Sequence, residues 1–310
     1  MPLPFFSVMT TKRFTTFTDE LRQRFGCRVQ RISLDAGLSC PNRDGSLGTG
    51  GCSFCGSRGA AAVGVQTELP LVEQLERSKA YLKVKFRAER FLAYFQAYSN
   101  TYASVEVLRD MYAIASADPE VVGLIIGTRP DCLPDEVLDL LSELHAQNYL
   151  WIELGMQTMH DHTLVAINRG HTHSCFVEAV QRCKQRGLRV CVHLILGLPG
   201  ETRGQMLASV QELNRLGIDG VKLHHLHVLK GSRLEQEYRS GGLRLMGREE
   251  YVQLVCDALE RLDPKIQIHR LMGDGRSELI APDWSRRKLE VLNMIDAELI
   301  KRDSRQGCRL

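Results

Sequence analysis

Short apolar runs alternate with amphipathic stretches through most of this chain, and that beat restricts its possible folds more than any single residue does. Residues 29–34, 91–97, 121–128, 149–156, 188–196 and 220–228 read as strands, being rich in apolar residues and too short for most helices. Between them, residues 69–87, 103–116, the stretch after Pro134, 174–186 and 204–216 carry apolar positions at helical spacing. The last two stop at Gly187 and Gly217, as helices that close in a left-handed turn do. Strand starts recur roughly every 30 to 40 residues, as βαβ units do, which predicts a parallel sheet with right-handed crossovers. Six units fall short of the eight that close a barrel. The expected fold is therefore α/β, a partial (β/α)6 TIM-like barrel over 29–240. Residues 1–28, with a helix over 17–25, form a short N-terminal segment. Residues 241–310 form a mixed C-terminal extension set off by Gly241-Gly242: a helix over 248–262, a short strand over 265–270, a loop over 273–282 and a basic terminal helix over 284–301.

The chemically unusual residues follow the strands. Cysteines come after the first, Gln96 and Tyr98 after the second, and Thr128 to Asp131 after the third. Glu153 and Gln157 end the fourth, Gly197 to Glu201 follow the fifth, and His224, His225 and His227 end the sixth. In parallel barrels the carboxyl ends of the strands share one face, and that face carries the chemistry. Residues distant in sequence are thus expected at one mouth.

Cys40, Cys52 and Cys55 sit in a loop that Pro41 and its glycines keep from being helix or strand. The two-residue gap of Cys52 and Cys55 lets both thiolates of a tight turn reach one centre, and Cys40 completes a trio. A structural zinc is normally closed by four ligands, whereas three thiolates on a [4Fe-4S] cube leave one iron open. A zinc site with Cys27 or a histidine as fourth ligand is the competing reading.

These cysteines, with Phe54 just before the last, resemble the cluster loop of radical S-adenosylmethionine (SAM) enzymes, with a longer first gap than the commonest form. The resemblance extends through Phe95 to Tyr98, Gly127 to Asp131, Glu153 to Gln157 and Gly197 to Glu201. It is nearest to a bacterial branch related to the Elongator catalytic subunit, with the oxygen-independent coproporphyrinogen oxidases also akin. It implies that Cys40, Cys52 and Cys55 hold a [4Fe-4S] cluster whose open iron takes the amino and carboxylate groups of SAM. The cluster donates one electron, SAM splits into methionine and a 5′-deoxyadenosyl radical, and the radical takes a hydrogen from substrate. It also implies a one-electron donor such as flavodoxin or ferredoxin. Phe54 is expected beside the adenine together with Gly197, Leu198 and Pro199. Gln96 and Tyr98 stand where the methionine amino group is held, Glu153 and Gln157 where ribose or methionine is met, and Arg169 where the SAM carboxylate is reached. The Elongator-like likeness implies a tRNA substrate, a modified wobble uridine. The alternatives are a small biosynthetic metabolite, or a non-catalytic zinc-bearing nucleic-acid adaptor.

Each of these residues also has a plainer reading. An ionised Glu153 within an apolar strand needs a partner; a ligand supplies one, and so would Arg129 or Arg169. Arg169 is otherwise a surface arginine, and the turn at 197–200 resembles many strand-to-helix turns. His193, His224, His225 and His227 divide between substrate contacts and core or rim positions, and Lys222 and Lys230 are equally open. Asp131, Asp274 and Arg276 are further substrate candidates.

Across 310 residues, 44% hydrophobic and 25% charged content is ordinary for a soluble protein. No run approaches the roughly 20 apolar residues of a membrane span, and ten cysteines without a secretory signal point to a reducing cytoplasm. Cys132, Cys175, Cys183, Cys191 and Cys256 read as small buried or half-buried side chains. The net charge of +3 demands no nucleic acid. The local cationic clusters, at 79–90, 286–288 and 301–309, read as solvated helix faces or as a phosphate-binding surface.

Overall fold

The computed structural model describes residues 12–56, 59, 65–274 and 278–310; Arg276 lies outside them. In chain order the elements are α1 (Phe17–Phe25), β1 (Val29–Leu34), α2 (Leu71–Phe86), β2 (Arg90–Phe95), α3 (Val105–Ser116), β3 (Val121–Thr128), α4 (Asp135–Gln147), β4 (Tyr149–Gln157), α5 (Asp161–Ala166), α6 (His173–Gln185), β5 (Arg189–Leu196), α7 (Arg203–Leu216) and β6 (Gly220–His225). β7 (Val228–Leu229), α8 (Arg233–Arg239), α9 (Arg248–Arg261), β8 (Gln267–Arg270), β9 (Leu279–Ala281) and α10 (Lys288–Lys301) follow.

The alternation becomes a parallel sheet in the order β1-β2-β3-β4-β5-β6-β8. Helix ends follow local chemistry. Thr202 accepts from the Gln205 amide while the Gln205 side chain accepts from the Thr202 amide, a reciprocal cap at the start of α7. Gly26 and Gly217 close α1 and α7 in the left-handed region. The sheet is curled. Lys222 of β6 donates to the Tyr94 hydroxyl of β2 over 3.1 Å, although four strand spacings of about 4.8 Å would separate them in a flat sheet. A half-barrel results, with helices outside.

The main departure from the sequence reading is a seventh strand. β8 pairs in parallel with β6, so the stretch expected in the extension belongs to the barrel sheet. Helix α9 supplies the crossover, continuing the same βαβ logic beyond the Gly241-Gly242 break. The sixth strand is correspondingly shorter than expected. Val228–Leu229 leaves the sheet and pairs antiparallel with Leu279–Ala281, which lie in the span read as a loop. Helix α1 contacts both β1 and β8, the two open edges, and Phe17 stacks on His269 at 3.8 Å. The N-terminal segment thus plugs the gap where a closed barrel would have another strand.

The terminal helix is not basic. Lys288 and Lys301 are outnumbered by Glu290, Asp296 and Glu298, and Lys288 pairs with Asp274 at 2.5 Å. Arg302 and Arg309 face Glu260, with Arg302 also on Asp257 and Glu298. Lys79 meets Asp118, Glu76 and Glu120. These cations are thus paired with carboxylates, both of their own helix and distant in sequence.

One glycine is dictated by the sheet itself. A Cβ on Gly123 would lie 2.1 Å from the Tyr149 carbonyl oxygen of the neighbouring strand. Gly123→Ala is expected to destabilise the fold by about 3 kcal/mol. A urea transition at the wild-type midpoint would contradict this.

Candidate active site

The cysteine loop is built on its own backbone. The Arg43 amide donates to Cys40 O (2.8 Å), Leu47 to Pro41 O (2.7 Å), Gly51 to Asn42 O (2.7 Å) and Cys55 to Cys52 O (2.9 Å). Arg43 crosses the loop, donating to Gly56 O at 2.6 Å with its guanidinium 5.4 Å from the Tyr98 ring centre. Gly51 makes that crossing possible, since a Cβ there would stand 2.9 Å from Arg43 Nε. The segment between α5 and α6 clasps the loop. The Ser53 amide donates to Ile167 O (2.9 Å), Asn168 Nδ2 to Gly51 O (2.8 Å) and Asn42 Nδ2 to Asn168 O (2.6 Å).

The structure brings Cys40, Cys52 and Cys55 to one narrow cavity of about 130 Å³, together with Phe54, Gln96, Tyr98, Glu153, Gln157 and Arg169. Cys52 Sγ receives Arg169 Nη1 at 3.5 Å and Asn42 Nδ2 at 3.7 Å. Arg169 Nη2 also donates to Gly155 O (2.8 Å), leaving Nε buried and without a protein partner. Gly155 admits this guanidinium, which a Cβ would meet at 2.6 Å. Burial first, then the charge of Cys52, push the Cys55 thiol above its ordinary value, with Arg43 opposing. The three sulfurs form no group lying within 4.8 Å of one another; among the described residues, that spacing is met by ligand atoms of Glu153, Cys191 and His269.

Strained backbone surrounds this cavity, at the ends of β2 and β4 and in the segment after α5. Ala97 (φ 140°), Tyr98 (57°), Gln157 (71°) and Asn168 (53°) all hold positive φ without being glycine. Such backbone costs about 1–3 kcal/mol per residue and concentrates at functional sites. At Gln157 the β4–β5 register slips by one residue, aiming the amide into the cavity. Gln96 Nε2 donates to Ser33 Oγ at 2.7 Å.

Glu153 reaches the cavity wall, but its partners come from within the protein and are neither Arg129 nor Arg169. Lys222 donates to Oε2 at 2.5 Å and His193 Nε2 to the same oxygen at 2.9 Å. Burial opposes ionisation, yet Lys222 and then the histidines hold the carboxyl well below its usual range. Burial holds Lys222 down to about 8, against the pull of Glu153. Arg129 instead grips Asp131 through two hydrogen bonds of 2.7 and 2.9 Å and donates to Arg169 O. Asp131 is thereby an anchor for Arg129 and lies outside the cysteine cavity.

Burial also holds His269 at about 4, His171 at about 3 and His225 at about 2, and lowers His193 and His224. Below pH 6.5 the unfolded chain therefore takes up protons that the folded chain refuses. Stability should fall as pH drops from about 6.5 toward 4, by up to about 1.4 kcal/mol per pH unit for each such histidine. A urea midpoint clearly lower at pH 5 than at pH 7 is the expected result, and equal midpoints would contradict it.

A second cavity of about 640 Å³ adjoins the first and shares Phe54, Cys55, Gln96, Gln157 and His193 with it. Lys85, Phe86, His224, His227, Arg270 and Asp274 complete most of its wall. His225 also borders this cavity, with its ring stacked on Trp284 of the C-terminal layer at 4.2 Å and bonded to Ser285. The expected turn at Gly197, Leu198 and Pro199 borders neither cavity. The Gly197 amide faces Met206 Sδ (3.0 Å), and Leu198 is buried in an apolar cluster against which Phe54 also packs. The strand-to-helix turn is thus filled by its own neighbours.

Sequence reasoning passed over Asn42, Arg43 and the partnership of Lys222. The first two carry a weak signal, polar residues inside the cysteine loop. Lys222 alternates in strand parity with buried neighbours, as an inward lysine must.

Residues 45–213 match the family model for the radical SAM superfamily and residues 218–301 that for the radical SAM C-terminal domain. The protein YtqA of Bacillus subtilis is 44% identical over 307 residues, 99% of this chain and 95% of YtqA. The protein MJ0486 of Methanocaldococcus jannaschii is 38% identical over 301 residues, 96% and 92% of the two chains. The tRNA uridine(34) acetyltransferase of the same archaeon is 28% identical over 162 residues, 51% of this chain and 29% of that protein. The solved structure of Methanocaldococcus infernus Elp3 superposes with a TM-score of 0.67 at 17% identity, covering 90% of this chain and 64% of that one, a likeness of fold. Among the described residues no helix is long and apolar enough to cross a membrane. With a family model matching more than half of its length and full-length relatives above 30% identity, the chain belongs to the radical SAM superfamily and is a radical SAM enzyme, a membership that implies a [4Fe-4S] cluster and SAM.

Proposed function

We propose that Cys40, Cys52 and Cys55 hold the [4Fe-4S] cluster at the narrow cavity, that SAM lies against it and extends toward the adjoining chamber, and that the enzyme modifies a wobble uridine of tRNA. The meeting of the three cysteines at one cavity carries the first part. The surroundings suit thiolates. Asn42 and Arg169 donate to Cys52, and Arg43 and Arg129 add positive charge beside the loop. A raised Cys55 thiol needs a bound cation to stay deprotonated.

When bound, the cluster supplies the electron that splits SAM into methionine and the radical that attacks substrate. The chain's own residues position and enclose. Arg169 Nε, buried and without a protein partner, is an N–H available to the SAM carboxylate. Gln96, Tyr98 and Gln157 line the cavity from strained strand ends, and Phe54 stands where it meets the larger chamber. Glu153, locked by Lys222, holds His193 at the same junction. Gly197, Leu198 and Pro199 support Phe54 through the shared apolar cluster and take no part in direct binding.

The substrate reading is supported by the similarity to tRNA uridine(34) acetyltransferases and by the chamber. At about 640 Å³ it is of ordinary ligand-pocket size, and it offers aromatic faces (Phe54, Phe86) beside Lys85, with Arg270 held by Asp274. An extruded base with its phosphates is recognised by that combination. RNA contact is assigned to the chamber rim at Lys85, since Arg270 is paired with Asp274 and Lys288, Arg302 and Arg309 with other carboxylates. Transfer RNA binding is expected to weaken with salt, and Lys85→Glu to reduce the salt slope by about 1, as loss of one phosphate contact does. Mass spectrometry of tRNA nucleosides from a deletion strain tests the whole reading. Unchanged nucleosides beside an accumulating small metabolite would favour the biosynthetic alternative. A soluble one-electron donor such as flavodoxin or ferredoxin completes the proposed system.

A further inference from the structure

We propose that Glu153, Cys191 and His269 form a second metal site, in which one carboxylate oxygen, one thiolate and one imidazole nitrogen hold a zinc-class cation beneath the cysteine cavity. These three ligand atoms lie within 4.8 Å of one another. The Glu153 and His269 side chains are wholly buried, as is Cys191. The buried ligand atoms are also unsatisfied. Glu153 Oε1 and both ring nitrogens of His269 have no hydrogen-bond partner, and each such buried group costs about 1–3 kcal/mol. Nδ1 faces Oε1 at 3.7 Å, beyond hydrogen-bond length. A cation between them satisfies both at once.

The rest of the floor orients the ligands. His269 is stacked on Phe17 and set edge-on to Trp151 at 4.6 Å. Its Nε2 is pressed toward Gly220, where a Cβ would stand 2.7 Å away, leaving Nδ1 as the coordinating nitrogen. Cys191 is the register partner of Glu153 on the next strand. Lys222 and His193 occupy Oε2, the kind of outer partner that fixes a ligating carboxylate. A mixed nitrogen, oxygen and sulfur set suits zinc, with water in the fourth position. Binding displaces the Cys191 thiol proton to solvent, so the step balances as metal in and proton out. None of the three loop cysteines takes part, so this site stands independently of the cluster reading.

The test is metal analysis of the full chain, purified anaerobically with its cluster and exposed to one equivalent of zinc. About one zinc per chain is expected in the wild type. Cys191→Ala, which exchanges one small buried side chain for another, should retain less than about a tenth of that zinc at unchanged iron content. Cys52→Ala should lose iron and keep the zinc. One equivalent of zinc should also raise the thermal midpoint of the wild type and not that of Cys191→Ala. Zinc absent from the wild type, retained by Cys191→Ala, or lost from Cys52→Ala would each overturn the proposal. Should Cys191→Ala fail to fold, His269→Gln provides the same comparison, with the same outcomes.

Discussion

Replacing Cys52 with alanine is expected to leave the chain without its iron and sulfide and to abolish reductive cleavage of SAM. Cys52 is the sulfur on which the surroundings converge, receiving the Arg169 and Asn42 donors. Removing it leaves two thiolates for a cluster that needs three, and directs those two donors at an empty volume. The loss should exceed the 10–100-fold that removal of an outer partner causes. Asn42→Ala should fall within that smaller range, because the ligand itself survives. The two variants thus form a graded pair, read by iron and sulfide per chain and by 5′-deoxyadenosine formed from SAM. Wild-type iron in Cys52→Ala with undiminished cleavage would end the ligand assignment.

The largest effect on stability is expected at the barrel floor. Glu153→Leu should cost about 3–5 kcal/mol, the usual penalty for breaking a buried ion pair from one side. The Lys222 ammonium would remain in a fully buried position with only the Tyr94 hydroxyl facing it. Its proton affinity, already reduced by burial, would fall further. Because the unfolded lysine keeps its proton to about pH 10.5, the variant should regain stability as pH rises from 7 toward 9. The double variant Glu153→Leu with Lys222→Leu should recover much of the loss, since no uncompensated charge remains. Equal losses in the single and double variants, by urea denaturation at pH 7, would show that the ion pair does not carry the effect.

Much of the fold was legible because it is encoded locally. The limits of β1 and α1 follow from short-range pattern and caps, Thr16 at one end and Gly26 at the other. The convergence of Gln96, Gln157 and the cysteines at one mouth follows from strand parity and direction alone. The seventh strand was missed because four residues, Gln267–Arg270, carry too little pattern to declare which sheet they join. The packing of the turn at Gly197 to Pro199 was not legible, because its local chemistry is that of any strand-to-helix turn. Its distance from the cavity is decided by Met206, Met246 and Leu198 packing.

By itself the sequence determined the βα beat, the trio of thiols in a loop that can adopt no regular structure, and the presence of charges that apolar strands cannot carry alone. Tertiary structure decided who answers those charges. Curling of the sheet sets Lys222 beside Glu153, 69 positions away, and sets His269 opposite Cys191. Packing of α10 on α9 brings Asp257 and Glu260 onto Arg302. Local propensity acts over a few residues, whereas pairing across a barrel depends on register and curvature summed over every strand between.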